Sequence, residues 1–197
     1  MALEPHSALL VVDVQNDFCP GGALPVPQGD EIIGRINQYI GLFGQRGRPV
    51  LASRDWHPLE SKHFATHGGT WPVHCVQNTP GAAFHPDLQL PPTVIVISKG
   101  MQVDEDAYSA FVGYDPEGRS LQGRLKQQKI ERLYVCGLAL DYCVQASALD
   151  AAAAGLGVTV LVDATRAVNV RPHDAELAIE KLLRGGVSLA VYEMVAE

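Results

Sequence analysis

The chain has 197 residues, with 15 basic against 22 acidic side chains and a formal charge of −7; that balance disfavours nucleic acid or anionic membrane as a partner and leaves small molecules or proteins. A chain of this length buries roughly two-thirds of the surface its unfolded form exposes, enough for one large domain over 1–197 without a disulfide, and no apolar run approaches the roughly 20 residues of a membrane span. The four cysteines, Cys19, Cys75, Cys136 and Cys143, show neither a CxxC pair nor a zinc-knuckle spacing, and no signal peptide precedes them, so the expected setting is a reducing cytoplasm with thiols free for chemistry or packing.

Ala8-Leu-Leu-Val-Val-Asp-Val14 is a near-continuous aliphatic run, as expected of a parallel strand covered on both faces, with Asp13 near its end. Asp30 is placed to cap a helix running to about Gln45, in which Ile32, Ile33, Ile36, Ile40 and Phe43 recur at helical spacing. Pro49–Ser53 and Thr93–Ser98 read as the next two strands. Between them lies the excursion 54–92, rich in His, Pro, Gly and Trp and longer than an ordinary connection, which marks it as functional. A short amphipathic helix from Leu121 precedes a strand at Arg132–Cys136. An alanine-rich helix at Ala146–Ala154, a strand at Val158–Val162, a helix at Pro172–Leu183 and a strand at Val187–Val191 complete the pattern. Six strands with intervening helices predict a three-layer α/β/α fold around a doubly wound parallel sheet. Ligands of such sheets bind outside the carboxyl ends of the strands, where Asp13, Asp55, Lys99 and the turn from Gly137 to Cys143 all fall.

That shared placement suggests chemistry. Cys143 stands where a buried strand breaks through a turn into a helix, and a thiol there attacks a carbonyl if a base takes its proton. Asp13 is the candidate base and acid, while Lys99 and the helix start are expected to favour thiolate and keep Asp13 ionised. Backbone N–H groups at the same turn offer an oxyanion hole. Each residue alone has a plainer reading: Cys143 as a small buried hydrophobe, Asp13 as a turn cap, Lys99 as a solvated strand-end charge. Cys136, inside its aliphatic strand, fits the packing role better than Cys143 does.

Five of the seven histidines fall between positions 57 and 85. Asp55-Trp-His57 supplies a carboxylate and an imidazole two residues apart just past a strand, and His63 and His74 complete a possible metal shell suited to zinc, iron(II) or manganese. His67, His85 and His6 read as surface residues. Trp71, in a Gly/Pro-rich stretch beside His74, reads as a wall for a flat ligand rather than core.

Several ordered segments together resemble the nicotinamidase/pyrazinamidase branch of the isochorismatase-like cysteine hydrolases: Ala8-Leu-Leu-Val-Val-Asp-Val-Gln-Asn-Asp-Phe-Cys-Pro-Gly-Gly-Ala-Leu24, Ser53-Arg-Asp-Trp-His-Pro58, Thr70-Trp-Pro-Val-His-Cys75, Ser98-Lys-Gly-Met101 with Asp104-Glu-Asp-Ala-Tyr-Ser-Ala-Phe111, and Val135-Cys-Gly-Leu-Ala-Leu-Asp-Tyr-Cys-Val144. The resemblance spans essentially the whole chain. It implies a six-stranded parallel sheet, a catalytic set of Asp13, Lys99 and Cys143, and an oxyanion hole from the N–H groups of Ala139 and Cys143 beside a cis peptide at Leu138–Ala139. It further implies substrate walls at Phe18 and Trp71 with Tyr108 as a contributor, and one divalent metal ion on Asp55, His57 and His74 with His63 as a fourth ligand. Many relatives carry that fourth histidine six residues after the first aspartate, where this chain has Ser61; His63 stands eight after.

The activity so implied is hydrolysis of nicotinamide to nicotinate and ammonia, and of pyrazinamide to pyrazinoate, with zinc as the first choice of metal and iron or manganese next. The alternatives are a related cysteine amidase acting on another small amide or carbamoyl compound, which the Asp/His set disfavours, and a non-catalytic metal-stabilised binding protein, which needs neither Asp13 nor Lys99 near a thiol. An isochorismatase proper requires no cysteine nucleophile. Subunit number is not set by the sequence, and a homo-oligomer is compatible with it.

Overall fold

A computed structural model describes residues 3–105 and 107–196; positions 1, 2, 106 and 197 of the expected 1–197 unit lie outside the described residues. The elements run β1 (Ser7–Val12), α1 (Ile33–Gln45), β2 (Val50–Asp55), β3 (Ile95–Lys99), α2 (Leu121–Gln127), β4 (Arg132–Leu138), α3 (Gln145–Ala153), β5 (Gly157–Arg166), α4 (Asp174–Arg184), β6 (Ser188–Ala190) and α5 (Tyr192–Ala196). The six strands form one sheet in the order β3-β2-β1-β4-β5-β6, every pair parallel. The expected doubly wound α/β/α architecture is the observed one.

The aliphatic strands follow from being covered on both faces. On β1, Leu9 and Val11 pack toward α1 with Tyr39 and Phe43, while Ala8, Leu10 and Val12 pack on the opposite side with Leu121, Leu125 and Ala148. β4 divides the same way, Tyr134, Cys136 and Leu138 to the first core and Leu133 and Val135 to the second. Each fully buried large aliphatic side chain contributes roughly 1.5–3 kcal/mol, so the sheet is the rigid platform and its loops are free to carry function. Cys136 is fully buried in its strand, as expected of a packing thiol.

Strand order reverses between β1 and β4, where the chain has finished the β1-β2-β3 half and begins the β4-β5-β6 half. That switch point opens a crevice at the carboxyl edge. β4 reaches it by passing extremely close to β1: a Cβ on Gly137, whose φ is +110°, would lie 2.1 Å from the Val12 carbonyl oxygen, so only glycine fits. The Leu138–Ala139 peptide is cis, as the resemblance implied.

Several boundaries differ from the sequence expectation. β1 stops at Val12 rather than Val14 because Asp13 takes φ +50°, a left-handed turn that Asp tolerates better than most residues and that swings the chain out of the sheet. Asp30 does not cap α1: the helix begins at Ile33 with no side-chain cap, and Asp30 contributes only its carbonyl, to the Ile33 N–H at 3.1 Å. α4 starts at Asp174 rather than Pro172, after His173 at φ +71°. Among the described residues no helix is long and apolar enough to cross a membrane.

Candidate active site

Four strand ends converge. Asp13 follows β1, Asp55 ends β2, Lys99 ends β3, and the turn after β4 carries Ala139 and Cys143. Pairing of Asp55 with Lys99 in the β2–β3 register sets those two side by side. Asp13 and Lys99 are completely buried, and Asp55 and Cys143 nearly so.

The Lys99 ammonium is the hub. It pairs with Asp13 Oδ2 at 2.9 Å and with Asp55 Oδ1, donates to the Ala107 carbonyl at 3.1 Å, and lies 3.5 Å from Cys143 Sγ. Burial by itself would strip its proton, but the two carboxylates outweigh that and hold Lys99 firmly protonated. Asp55 is held well below the usual carboxylate range: burial opposes ionisation, and Lys99 together with the neighbouring imidazoles overcomes it. Asp13 moves the other way. Burial, joined by repulsion from Asp55, raises it despite Lys99 and despite the Ser53 hydroxyl, which donates to Asp13 Oδ1 at 2.7 Å.

Cys143 departs from expectation. It sits not at the first turn of a regular α-helix but in a π-turn, Leu140–Val144, that runs into α3. Its thiol is pushed well above the ordinary cysteine value, first by burial and then, against the pull of Lys99, by the charges of Asp13 and Asp55 and a hydrogen bond to Asp13. Lys99 favours the thiolate, as expected, but burial and the two carboxylates oppose it more strongly. A carboxylate with a raised pKa is correspondingly a better base for that proton.

Beside this set stands the histidine cluster. His57, His63 and His74 are buried, and each offers a nitrogen within 4.8 Å of the others. His57 Nδ1 lies 3.0 Å from the Gly100 carbonyl and His74 Nδ1 2.7 Å from the Pro72 carbonyl. A carbonyl only accepts, so both Nδ1 atoms carry a proton, which leaves Nε2 of each ring as the atom available to a metal, the arrangement that orients metal-binding imidazoles. Those Nε2 atoms face Asp55 Oδ2, at 3.6 Å from His57 and 3.8 Å from His74. His57 Nε2 is buried without a hydrogen-bond partner. Ligands on bonds of about 2.0–2.2 Å stand roughly 3–3.6 Å apart around a tetrahedral or octahedral ion, so the edges observed are close to what a metal would draw together. Three nitrogens, one of them buried without a hydrogen-bond partner, and a carboxylate oxygen fit a divalent ion. Gly100, at φ +64°, makes room: a Cβ there would stand 2.3 Å from His57 Cε1.

Both groups border one cavity. Of the residues predicted to contact a ligand, Phe18, Trp71 and Tyr108 all line it, together with Asp55, His63, His74, Ala139 and Cys143. Trp71 is braced by its indole N–H, which donates to Tyr108 Oη at 2.8 Å, and by edge contact with Tyr142 at 5.0 Å. Leu24, Val26, Leu138, Tyr142 and Val168 also line the cavity and were not anticipated. They come from three segments, 24–26, 138–142 and 168, whose only shared signal is moderate hydrophobicity in or beside loops. His67 and His6 are exposed, and His85 is half-buried away from the cavity.

The isochorismatase domain model matches residues 7–188. The chain belongs to the isochorismatase family. That membership makes it an enzyme, related to the nicotinamidases and pyrazinamidases. The Escherichia coli nicotinamidase is 40% identical over 94% of this chain and 94% of its own. Among solved structures, the pyrazinamidase of Pyrococcus horikoshii in complex with zinc is 45% identical with a TM-score of 0.88, covering 95% of this chain and 100% of that one. An L. infantum protein crystallised in complex with nicotinate is 36% identical with a TM-score of 0.86, covering 96% and 94%.

Proposed function

We propose that this protein is a metal-assisted cysteine amidohydrolase that converts nicotinamide to nicotinate and ammonia, and pyrazinamide to pyrazinoate. The observation that carries the reading is one cavity lined by the Cys143 thiol, the Asp55 carboxylate and the imidazoles of His63 and His74 and walled by Phe18 and Trp71, with Lys99 3.5 Å from the thiol and His57 clustered with the other two imidazoles. A flat heteroaromatic amide matches both the thiol and the imidazoles. Asp55, His57 and His74, with His63 as a further ligand, would hold a divalent ion, zinc as first choice, which would supply Lewis-acid chemistry for anchoring the ring. The relatives named for nicotinamide and pyrazinamide hydrolysis, and the zinc and nicotinate complexes among the solved structures, support the assignment.

Because burial and two neighbouring carboxylates oppose a free thiolate, attack and deprotonation occur together. Asp13 takes the Cys143 proton as sulfur bonds to the amide carbon, and Lys99 keeps the carboxylate aligned throughout. The Ala139 and Cys143 N–H groups receive the oxyanion. Asp13 then returns its proton to nitrogen, the C–N bond breaks and ammonia leaves. Water adds to the thioester with Asp13 again as base, the C–S bond breaks, and the proton goes back to sulfur. Phe18 and Trp71 hold the ring, with Tyr108 bracing Trp71.

The test is a panel of nicotinamide, pyrazinamide and a carbamoyl compound on metal-defined enzyme. The expected result is ammonia release matched by nicotinate or pyrazinoate, abolished by Cys143→Ala. Turnover of the carbamoyl compound alone, or activity retained by the variant, would overturn the reading.

A further inference from the structure

Gln15 lies just past β1, is completely buried, and uses its whole side-chain amide. Oε1 accepts the Asp55 N–H at 2.8 Å, and Nε2 donates to the Asp55 carbonyl at 2.8 Å and to the Ala82 carbonyl at 2.9 Å. The reason is topological. The last β1–β2 pair is Val12 with Ser53, because Asp13 then turns the chain away, while β2 continues two residues further to Asp55. In a parallel ladder the N–H and C=O of one residue point to the same neighbour, so both main-chain groups of Asp55 face the gap that β1 has left. The Gln15 amide fills that gap as a one-residue substitute for the missing strand. On the opposite side the sheet register pairs Asp55 with Lys99, and the Trp56 N–H donates to the Lys99 carbonyl at 3.0 Å.

Both main-chain groups of Asp55 are thus held by Gln15, while Trp56, the next residue, ties the strand to Lys99 on the other side, and the Asp55 carboxylate meets the Lys99 ammonium with one oxygen and two imidazole nitrogens with the other. We infer that Gln15 is a positioning residue that holds Asp55 in register for metal binding, an inference resting on the metal site proposed above. Binding sites of this kind tolerate only about 0.5 Å of ligand displacement. Losing the amide would orphan two buried main-chain groups at the ligand itself, and the chain would relax there first. The bond to Ala82 carries the same restraint into the long excursion, whose His57 and His74 share the site.

The experiment measures Zn²⁺ affinity by competition with a chelating dye on the full-length apoprotein, comparing wild type with Gln15→Met and Gln15→Asn. Tyr39→Phe, which removes a hydrogen bond to Asp163 at 2.9 Å far from the metal ligands, controls for general loss of stability. The expected result is Zn²⁺ affinity lowered about 10- to 100-fold in folded Gln15 variants, with Tyr39→Phe matching wild type at a comparable loss of melting temperature. If the methionine variant fails to fold, the asparagine variant, which keeps the amide one methylene short of Asp55, gives the same readout. Gln15 variants that bind Zn²⁺ as wild type does, or lose no more than the control, overturn the inference and leave the metal site standing. Wild type that takes up no Zn²⁺ overturns both.

Discussion

Replacing Lys99 by methionine keeps an unbranched side chain of similar length and removes one charge from the centre of the site. The ammonium is completely buried and serves two carboxylates, a carbonyl and a thiol. Removing one partner of a buried ion pair costs about 3–5 kcal/mol, and here two buried carboxylates are left facing each other. Against a total stability of about 5–15 kcal/mol that is a large fraction, equivalent to a fall of about 1–2 M in urea midpoint at a slope near 3 kcal/mol/M. The loss depends on pH. In wild type Asp55 titrates well below its unfolded value, so its contribution is present above the unfolded carboxylate pKa and lost as pH falls through the lower folded one. In Lys99→Met the pair must retain a proton, its folded pKa lies above the unfolded value, and the variant loses stability as pH rises through that folded value. The gap between the two proteins should therefore widen from pH 4.5 to pH 7.5. Urea unfolding of metal-free protein at the two pH values measures it, and a gap below about 1 kcal/mol, or one independent of pH, would refute the electrostatic account.

Three further outcomes follow from the geometry. Tyr108→Phe takes away the acceptor of the Trp71 indole N–H, worth about 0.5–1.5 kcal/mol, so KM for nicotinamide should rise about two- to tenfold with kcat nearly unchanged; steady-state kinetics showing the loss in kcat alone would contradict the wall assignment. Gly100→Ala drives a methyl into the His57 ring and should lower bound metal in elemental analysis of purified protein, whereas full occupancy would show that His57 is not a ligand. Asp115 accepts the N–H groups of Glu117 and Arg119, each at 2.9 Å, and pairs with Arg124. Burial opposes its ionisation, yet these partners hold it below the usual value. Asp115→Asn should cost about 1–3 kcal/mol at pH 7 and progressively less as pH falls below about 4 toward the folded pKa; denaturant midpoints that stay equally far apart at pH 3 would refute this.

The sheet was readable because its strands are aliphatic runs buried on both faces, and the polar residues breaking those runs at their ends mark the crevice. Asp13, Asp55 and Lys99 were found that way. Strand and helix limits were less legible, since Asp13 ends β1 through its own left-handed turn and Asp30 resembles a cap without acting as one. The pull of Lys99 on the Cys143 thiol is visible in a motif, but the burial and the two carboxylates that oppose it appear only in three dimensions. Leu24 with Val26, Tyr142 and Val168 reach the cavity from three segments with no spacing common to them. Gln15 stood within a recognised segment, yet its task depends on β2 outrunning β1, which only the strand register reveals.

The central claim is that Cys143 carries the acyl group. Wild-type enzyme mixed with nicotinamide, quenched in acid within the first turnovers and digested for mass spectrometry, should show a nicotinoyl thioester on the peptide containing Cys143, formed at a rate no slower than turnover. Full ammonia release with that peptide unmodified at every quench time, or the acyl group found on another residue, would contradict it.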